Sequence, residues 1–222
     1  MSLFSNQGFV AVLTIVLLML SSVLHELGHA AAAYACGDKT AKEAGRLTLN
    51  PLKHLDPFGS FVLPLLMVAA NGPVFAYAKP VPFNPNRLRK PDRDEALVAA
   101  AGPASNLAQA TVAAVVFRVM FDVIGIYESW QLIVVQVLYL YVYVNVSLMV
   151  FNLIPFPPLD GSKLISPLLH GKARVTYYRI QQYALPVLIG LLYIVPTLIH
   201  VDPLGDFLNW ACDWVIYLLL GA

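Results

Sequence analysis

Between Phe9 and Leu20 the only polar residue is Thr14. A hydrocarbon core about 30 Å thick is crossed by about 20 apolar residues of helix. Five segments meet that length and character, near 8–34, 95–121, 131–153, 182–199 and 204–221. A sixth apolar run, Phe58 to Ala78, is interrupted by Gly59, Pro64, Asn71, Gly72 and Pro73. Broken backbone is tolerated at membrane depth only inside protein or against a cavity, so 58–78 reads as a re-entrant or irregular segment. The gaps between runs are short, and the chain reads as one membrane-embedded domain over 1–222. Charged residues make up 12%, against roughly 25% in soluble domains. A net charge of +1 excludes a nucleic-acid footprint. Cys36 and Cys212 are too few for a disulfide framework and read as small buried hydrophobes. The first run lacks a basic leader and outlasts a signal-peptide core, so it is kept as a span.

Charge orients these spans. Loop 35–57 carries Lys39, Lys42, Arg46 and Lys53; loop 79–94 carries Lys79, Arg87, Arg89, Lys90 and Arg93. Loop 161–181 carries Lys163, Lys172, Arg174 and Arg179. Loops 122–130 and 200–206 hold only acidic charges: Asp122, Glu128, Asp202 and Asp206. Cytoplasmic loops are enriched in Lys and Arg. If 58–78 dips in and returns, every basic loop is cytoplasmic and both acidic loops are outside. The expected architecture is therefore an all-α polytopic membrane protein: five transmembrane helices, one re-entrant or irregular segment, and the N-terminus outside. Asp92-Arg-Asp-Glu95 reads as a capped helix start and Pro203 as a first-turn residue. Gly45–Asn50 alternates, and the prolines of Lys79–Pro85 forbid helix; both are predicted as short β elements at the cytoplasmic mouth.

Inside the first span stands Ser21-Ser-Val-Leu-His-Glu-Leu-Gly-His-Ala30. His25 and His29 are four residues apart and share a helix face, so both imidazoles can bind one zinc ion. Glu26, beside them, is suited to take a proton from water at that metal. Ionisable groups at membrane depth cost on the order of 2.5–3.5 kcal/mol, which favours a functional site over chance. A catalytic zinc has three protein ligands and an open position. Asn152-Leu-Ile-Pro-Phe-Pro-Pro-Leu-Asp-Gly161 breaks the helix at the cytoplasmic end of its span and makes Asp160 the best third ligand. His54 and Asp56 are rivals, whose plainer reading is a polar turn beside Pro57. Gly28 and Ala30–Ala33 are small residues that admit a neighbouring backbone. Asn145, seven residues before Asn152, reads as packing or cavity lining, and the tyrosines at 139, 141 and 143 as packing or lipid contact.

Together these motifs resemble the site-2 protease family of intramembrane zinc metalloproteases. HELGH matches the family's H-E-x-x-H, and 152–161 matches its N-x-x-P-x-P-x-L-D-G at every specified position. Gly102-Pro-Ala-Ser-Asn106 is similar to its G-x-x-x-N. The likeness covers a catalytic core of about 9–165 and leaves the C-terminal helices, about 182–221, outside it. It implies Zn2+ as cofactor, with His25, His29 and Asp160 as ligands and Glu26 as catalytic base. It places Asn152 and Asn106 near the reaction centre; Asn152 is the candidate amide donor to a developing oxyanion. Transmembrane protein substrates, the lipid bilayer and a bacterial or archaeal cytoplasmic membrane are the expected setting. The chain has no room for a PDZ-like or nucleotide-sensing domain, so it reads as a minimal form. A homo-oligomer or regulatory membrane partner stays open. A divalent-metal transporter would need ligands repeated along a path, and a catalytically dead relative would have lost the glutamate or a ligand.

Overall fold

The computed structural model describes residues 4, 6–54, 56, 59, 62, 65–66, 79–169 and 171–221. The interrupted run 58–78 lies almost wholly outside them, as does His170. Helix α1 spans Gln7–Ala35; the Asn6 side chain accepts from the Phe9 N–H and starts it. Helix α2 spans Pro91–Arg118 and continues through a π-helical turn, Val119–Ile124. It begins earlier than the span at 95–121 suggests, with Pro91 in its first turn and Asp94 accepting from the Lys90 N–H. Helix α3 spans Ser129–Leu153, with Glu128 and Gln131 forming a capping box. Helix α4, Asp160–Ile165, is short. Helix α5, Lys172–Gln181, is followed by α6, Ala184–Ile199, which contains a π turn at Gly190–Ile194. Helix α7, Pro203–Leu220, is capped by Asp202 on the Gly205 N–H, with Pro203 in the first turn as expected.

Among the described residues, three helices are long and apolar enough to cross a membrane: Gln7–Ala35, Pro91–Ile124 and Ser129–Leu153. A fourth crossing arises if the pair Val175–Gln181 and Ala184–Ile199, bent by 65°, is one span. Five spans are therefore not all present as straight apolar helices. Helix α7 carries Asp206 and Asp213 within its 18 residues and stands outside that group.

Apolar side chains cover the outside of the bundle, and a few polar ones are buried within its apolar core. Val12, Val16 and Leu20 are exposed along one face of α1, while Ser21 and His25 are buried. Asn106 of α2 and Asn145 of α3 are wholly buried. Helices α1 and α2 run antiparallel: Ser105 Oγ donates to the Leu24 carbonyl, and a Cβ on Gly28 would stand 2.7 Å from the Ala101 oxygen. Helices α2 and α3 are antiparallel too, linked by Asn106–Asn145 and Gln109–Tyr141. Small residues Ala110, Ala113 and Ala114 let α3 and α7 close over α2, with Val142, Val146, Cys212 and Ile216 in the same core.

The direction of α7 departs from the sequence expectation. Cys212 lies 3.8 Å from Ser147, in the second half of α3, whereas the Leu220 carbonyl accepts from Arg118 at the end of α2. Helix α7 therefore runs parallel to α2. Five alternating spans would make the two antiparallel.

The predicted β elements are also absent among the described residues. Residues 79–84 are non-helical, but side chains hold them in place of a neighbouring strand. Asp38 accepts from the Asn84 N–H, Glu26 accepts from the Val81 N–H, and Arg46 donates to the Lys79 carbonyl. Pro80 and Pro82 have no N–H to offer a ladder. In 45–50, bends replace a strand, and Asn50 caps a single 3-10 turn at Pro51–Lys53.

Candidate metal centre

His25 and His29 project from one face of α1, and the proline-rich turn after α3 delivers Asp160 at the first position of α4. The two Nε2 atoms are 3.0 Å apart; Asp160 Oδ2 stands 3.1 Å from His25 Nε2 and 3.0 Å from His29 Nε2. Three ligands about 2.0–2.1 Å from a tetrahedral zinc stand about 3.3 Å apart, so the triangle is close to the size zinc needs.

The outer hydrogen bonds fit a cation as well. His25 Nδ1 faces Asn106 Oδ1 at 2.6 Å, and His29 Nδ1 faces the Val98 carbonyl at 2.6 Å. Both partners are acceptors, so each Nδ1 carries the proton and each Nε2 is left with a lone pair. Two lone pairs and a carboxylate oxygen then converge on one point, an arrangement that a cation relieves. Lys163 pairs with the other oxygen, Oδ1, at 3.6 Å.

Helix α2 is the wall of this site. A Cβ on Gly102 would collide with His29 Nε2 and with the His25 ring. Glycine here is a space requirement, and Asn106, one turn on, reaches His25. The G-x-x-x-N pattern thus has a physical content: room for both imidazoles, then an acceptor to orient one of them. Gly161 meets a similar limit, because a Cβ there would strike the Leu153 and Ile154 carbonyls.

A cavity of about 370 Å3 opens on the cluster, lined in part by Glu26, Phe83, Glu95, Phe151, Asn152 and Leu185. Glu26 faces it with Oε2 held 2.9 Å from the Val81 N–H. Asn152 lines the cavity, its amide donating to the Leu148 carbonyl at 2.9 Å. The rivals fall away: among the described residues the ligand cluster is His25, His29 and Asp160. His54 is buried with Nε2 2.8 Å from the Thr48 carbonyl, and Asp56 accepts from the Gly59 N–H. Glu95, read from sequence as part of a helix cap, lines the cavity instead. Its spacing from Val98, Ala99, Gly102 and Asn106 marks one face of α2, a signal present in the sequence. Asn145, read from sequence as packing or cavity lining, donates its own amide to the Tyr141 carbonyl and accepts from Asn106.

The family model for peptidase family M50 matches residues 13–123 and 119–195. The chain belongs to peptidase family M50. This M50 chain is 36% identical over 197 residues to "Putative zinc metalloprotease YwhC" of Bacillus subtilis, covering 88% of the chain and 83% of the relative. It is 31% identical over 180 residues to "Putative zinc metalloprotease Rip2" of Mycolicibacterium smegmatis, and 33% over 183 residues to the protein of that name in Mycobacterium tuberculosis. These two matches cover 81% of the chain and 66% of each relative, so the chain spans just under two thirds of their length. No solved structure gives a significant match. Family membership and the apolar helices together make the chain a multi-pass membrane protein.

Proposed function

We propose that this M50 chain is an intramembrane zinc metalloprotease that hydrolyses a peptide bond within or near the transmembrane segment of a membrane-protein substrate. The observation that carries the reading is the convergence of His25 Nε2, His29 Nε2 and Asp160 Oδ2 within 3.1 Å of one another, beside Glu26. His25, His29 and Asp160 would hold a zinc ion, which would supply Lewis acidity to a carbonyl and lower the pKa of water toward about 7. Glu26 takes a proton from the attacking water and delivers it to the leaving nitrogen. Asn152 turns its amide from the Leu148 carbonyl toward the oxygen that gains charge. A substrate helix hides its carbonyls in its own hydrogen bonds, so it unwinds before attack. Named relatives are bacterial, which supports a bacterial cytoplasmic membrane as the setting.

The test places wild type or Glu26→Gln in liposomes with a panel of single-span membrane proteins and reads new termini by mass spectrometry. Zinc-dependent cuts within the spans, reduced about 10²–10⁴-fold in the variant while zinc stays bound, are expected. Equal cutting by both proteins would remove Glu26 from the chemistry. No cutting by wild type across the panel would overturn the proteolytic reading.

A further inference from the structure

Two carboxamides are buried completely between helices that otherwise pack on alanine and valine. Burying an amide is costly unless each end finds a partner. Here every partner is specified, and the sequence of partners has a direction. The Tyr141 backbone carbonyl can only accept, so the group facing it at 3.0 Å is the Asn145 NH2. That turns Asn145 Oδ1 toward Asn106, whose NH2 donates to it at 2.9 Å. Asn106 Oδ1 is thereby presented to His25 Nδ1 at 2.6 Å and requires a proton there. His25 then offers its lone pair at Nε2, toward His29 and Asp160. Reversing any amide would set two oxygens or two NH2 groups face to face somewhere along the line.

We infer that Asn145 is a positioning residue for the metal centre: it acts through Asn106 to fix the tautomer and ring orientation of His25 from a backbone carbonyl of α3. The inference rests on the metalloprotease reading and adds to it a residue two hydrogen bonds removed from the ligand. Asn145 is neither one of the three ligands nor a residue lining the cavity, and its side-chain hydrogen bond toward the site is the one to Asn106. Partners that orient a metal-bound histidine are worth about 10–100-fold in metal affinity.

The experiment is a double-mutant cycle on zinc affinity, measured by chelator competition on purified protein in lipid, with Asn106→Leu, Asn145→Leu and the double variant. Asn145→Leu is expected to weaken zinc binding about tenfold, and the double variant to bind no more weakly than Asn106→Leu alone. Multiplying losses, or zinc binding by Asn145→Leu equal to wild type, would overturn the inference. A second readout needs no substitution in the amide line. Wild-type protein labelled with 15N-histidine, assigned against His25→Gln, is expected to show the His25 proton on Nδ1 without metal. A His25 Nδ1 that carries no proton in that state would reverse the line and overturn the inference even if a leucine variant failed to fold. Wild type that binds no zinc at all would instead remove the metal centre itself, a different result from zinc-binding wild type with an indifferent Asn145.

Discussion

Gly102 has no side chain, and any it acquired would enter the space of both imidazoles. Gly102→Ala is therefore expected to lower zinc affinity at least about tenfold, by pushing His25 and His29 from their orienting partners. Chelator competition reads that loss, and circular dichroism is expected to show the helices intact. The residues that sequence alone reveals are those whose spacing is itself the chemistry. His25 and His29 share a helix face at any fold, and Asp160 follows a proline turn that ends its helix. Asn145 was hidden for a converse reason. A lone amide in an apolar helix reads as packing until the donor and acceptor at its two ends are known, and those lie on α2 and on its own backbone.

At the scale of elements, the segment 79–84 shows where pattern reading stops. Its prolines correctly exclude helix, but they also remove the N–H groups a strand would use, and Asp38 and Glu26 take those of Asn84 and Val81. Burial favours the neutral form of Asp38, but the N–H groups of Asn84 and Thr40 and the Thr40 hydroxyl outweigh it and hold the carboxyl below its ordinary value. A folded value below the unfolded one means that this grip is fully present above about pH 4. It is lost as the pH falls through the lower, folded value. Amide hydrogen exchange at Asn84 is thus expected to be unchanged from neutral pH down to about 4, apart from its intrinsic pH dependence, with protection lost below that. Asp38→Asn is expected to speed the same exchange on the order of tenfold at neutral pH, the worth of one charge-assisted hydrogen bond. Unchanged protection in that variant would show that Arg46 and Glu26 hold the segment without Asp38.

For the whole molecule, the bundle of α1, α2 and α3 follows the apolar runs closely, because each is long enough to cross on its own. The C-terminal third does not. The expected topology takes 182–199 as one straight crossing, whereas Val175–Gln181 and Ala184–Ile199 meet at a bend of 65°. Contacts of Cys212 with Ser147 and of Leu220 with Arg118 set α7 parallel to α2. Introduced cysteines at Gly221 and Tyr127, in a background with Cys36 and Cys212 replaced, are accordingly expected to react with an impermeant thiol reagent from the same side of the membrane. Reaction from opposite sides would restore five alternating spans.

His29 and Asp160 are separated by 131 positions in the chain. On the proposed reading, a ribosome that has released α1 into the bilayer has made two of the three ligands and the base, and still has to make α2 and α3 before the third ligand emerges. During that interval the translocation machinery and every freshly inserted helix nearby sit beside an unfinished protease. Under the proposed function, order of synthesis is itself a safety catch: the centre that would hydrolyse peptide bonds is completed only after its own walls, α2 and α3, have been made.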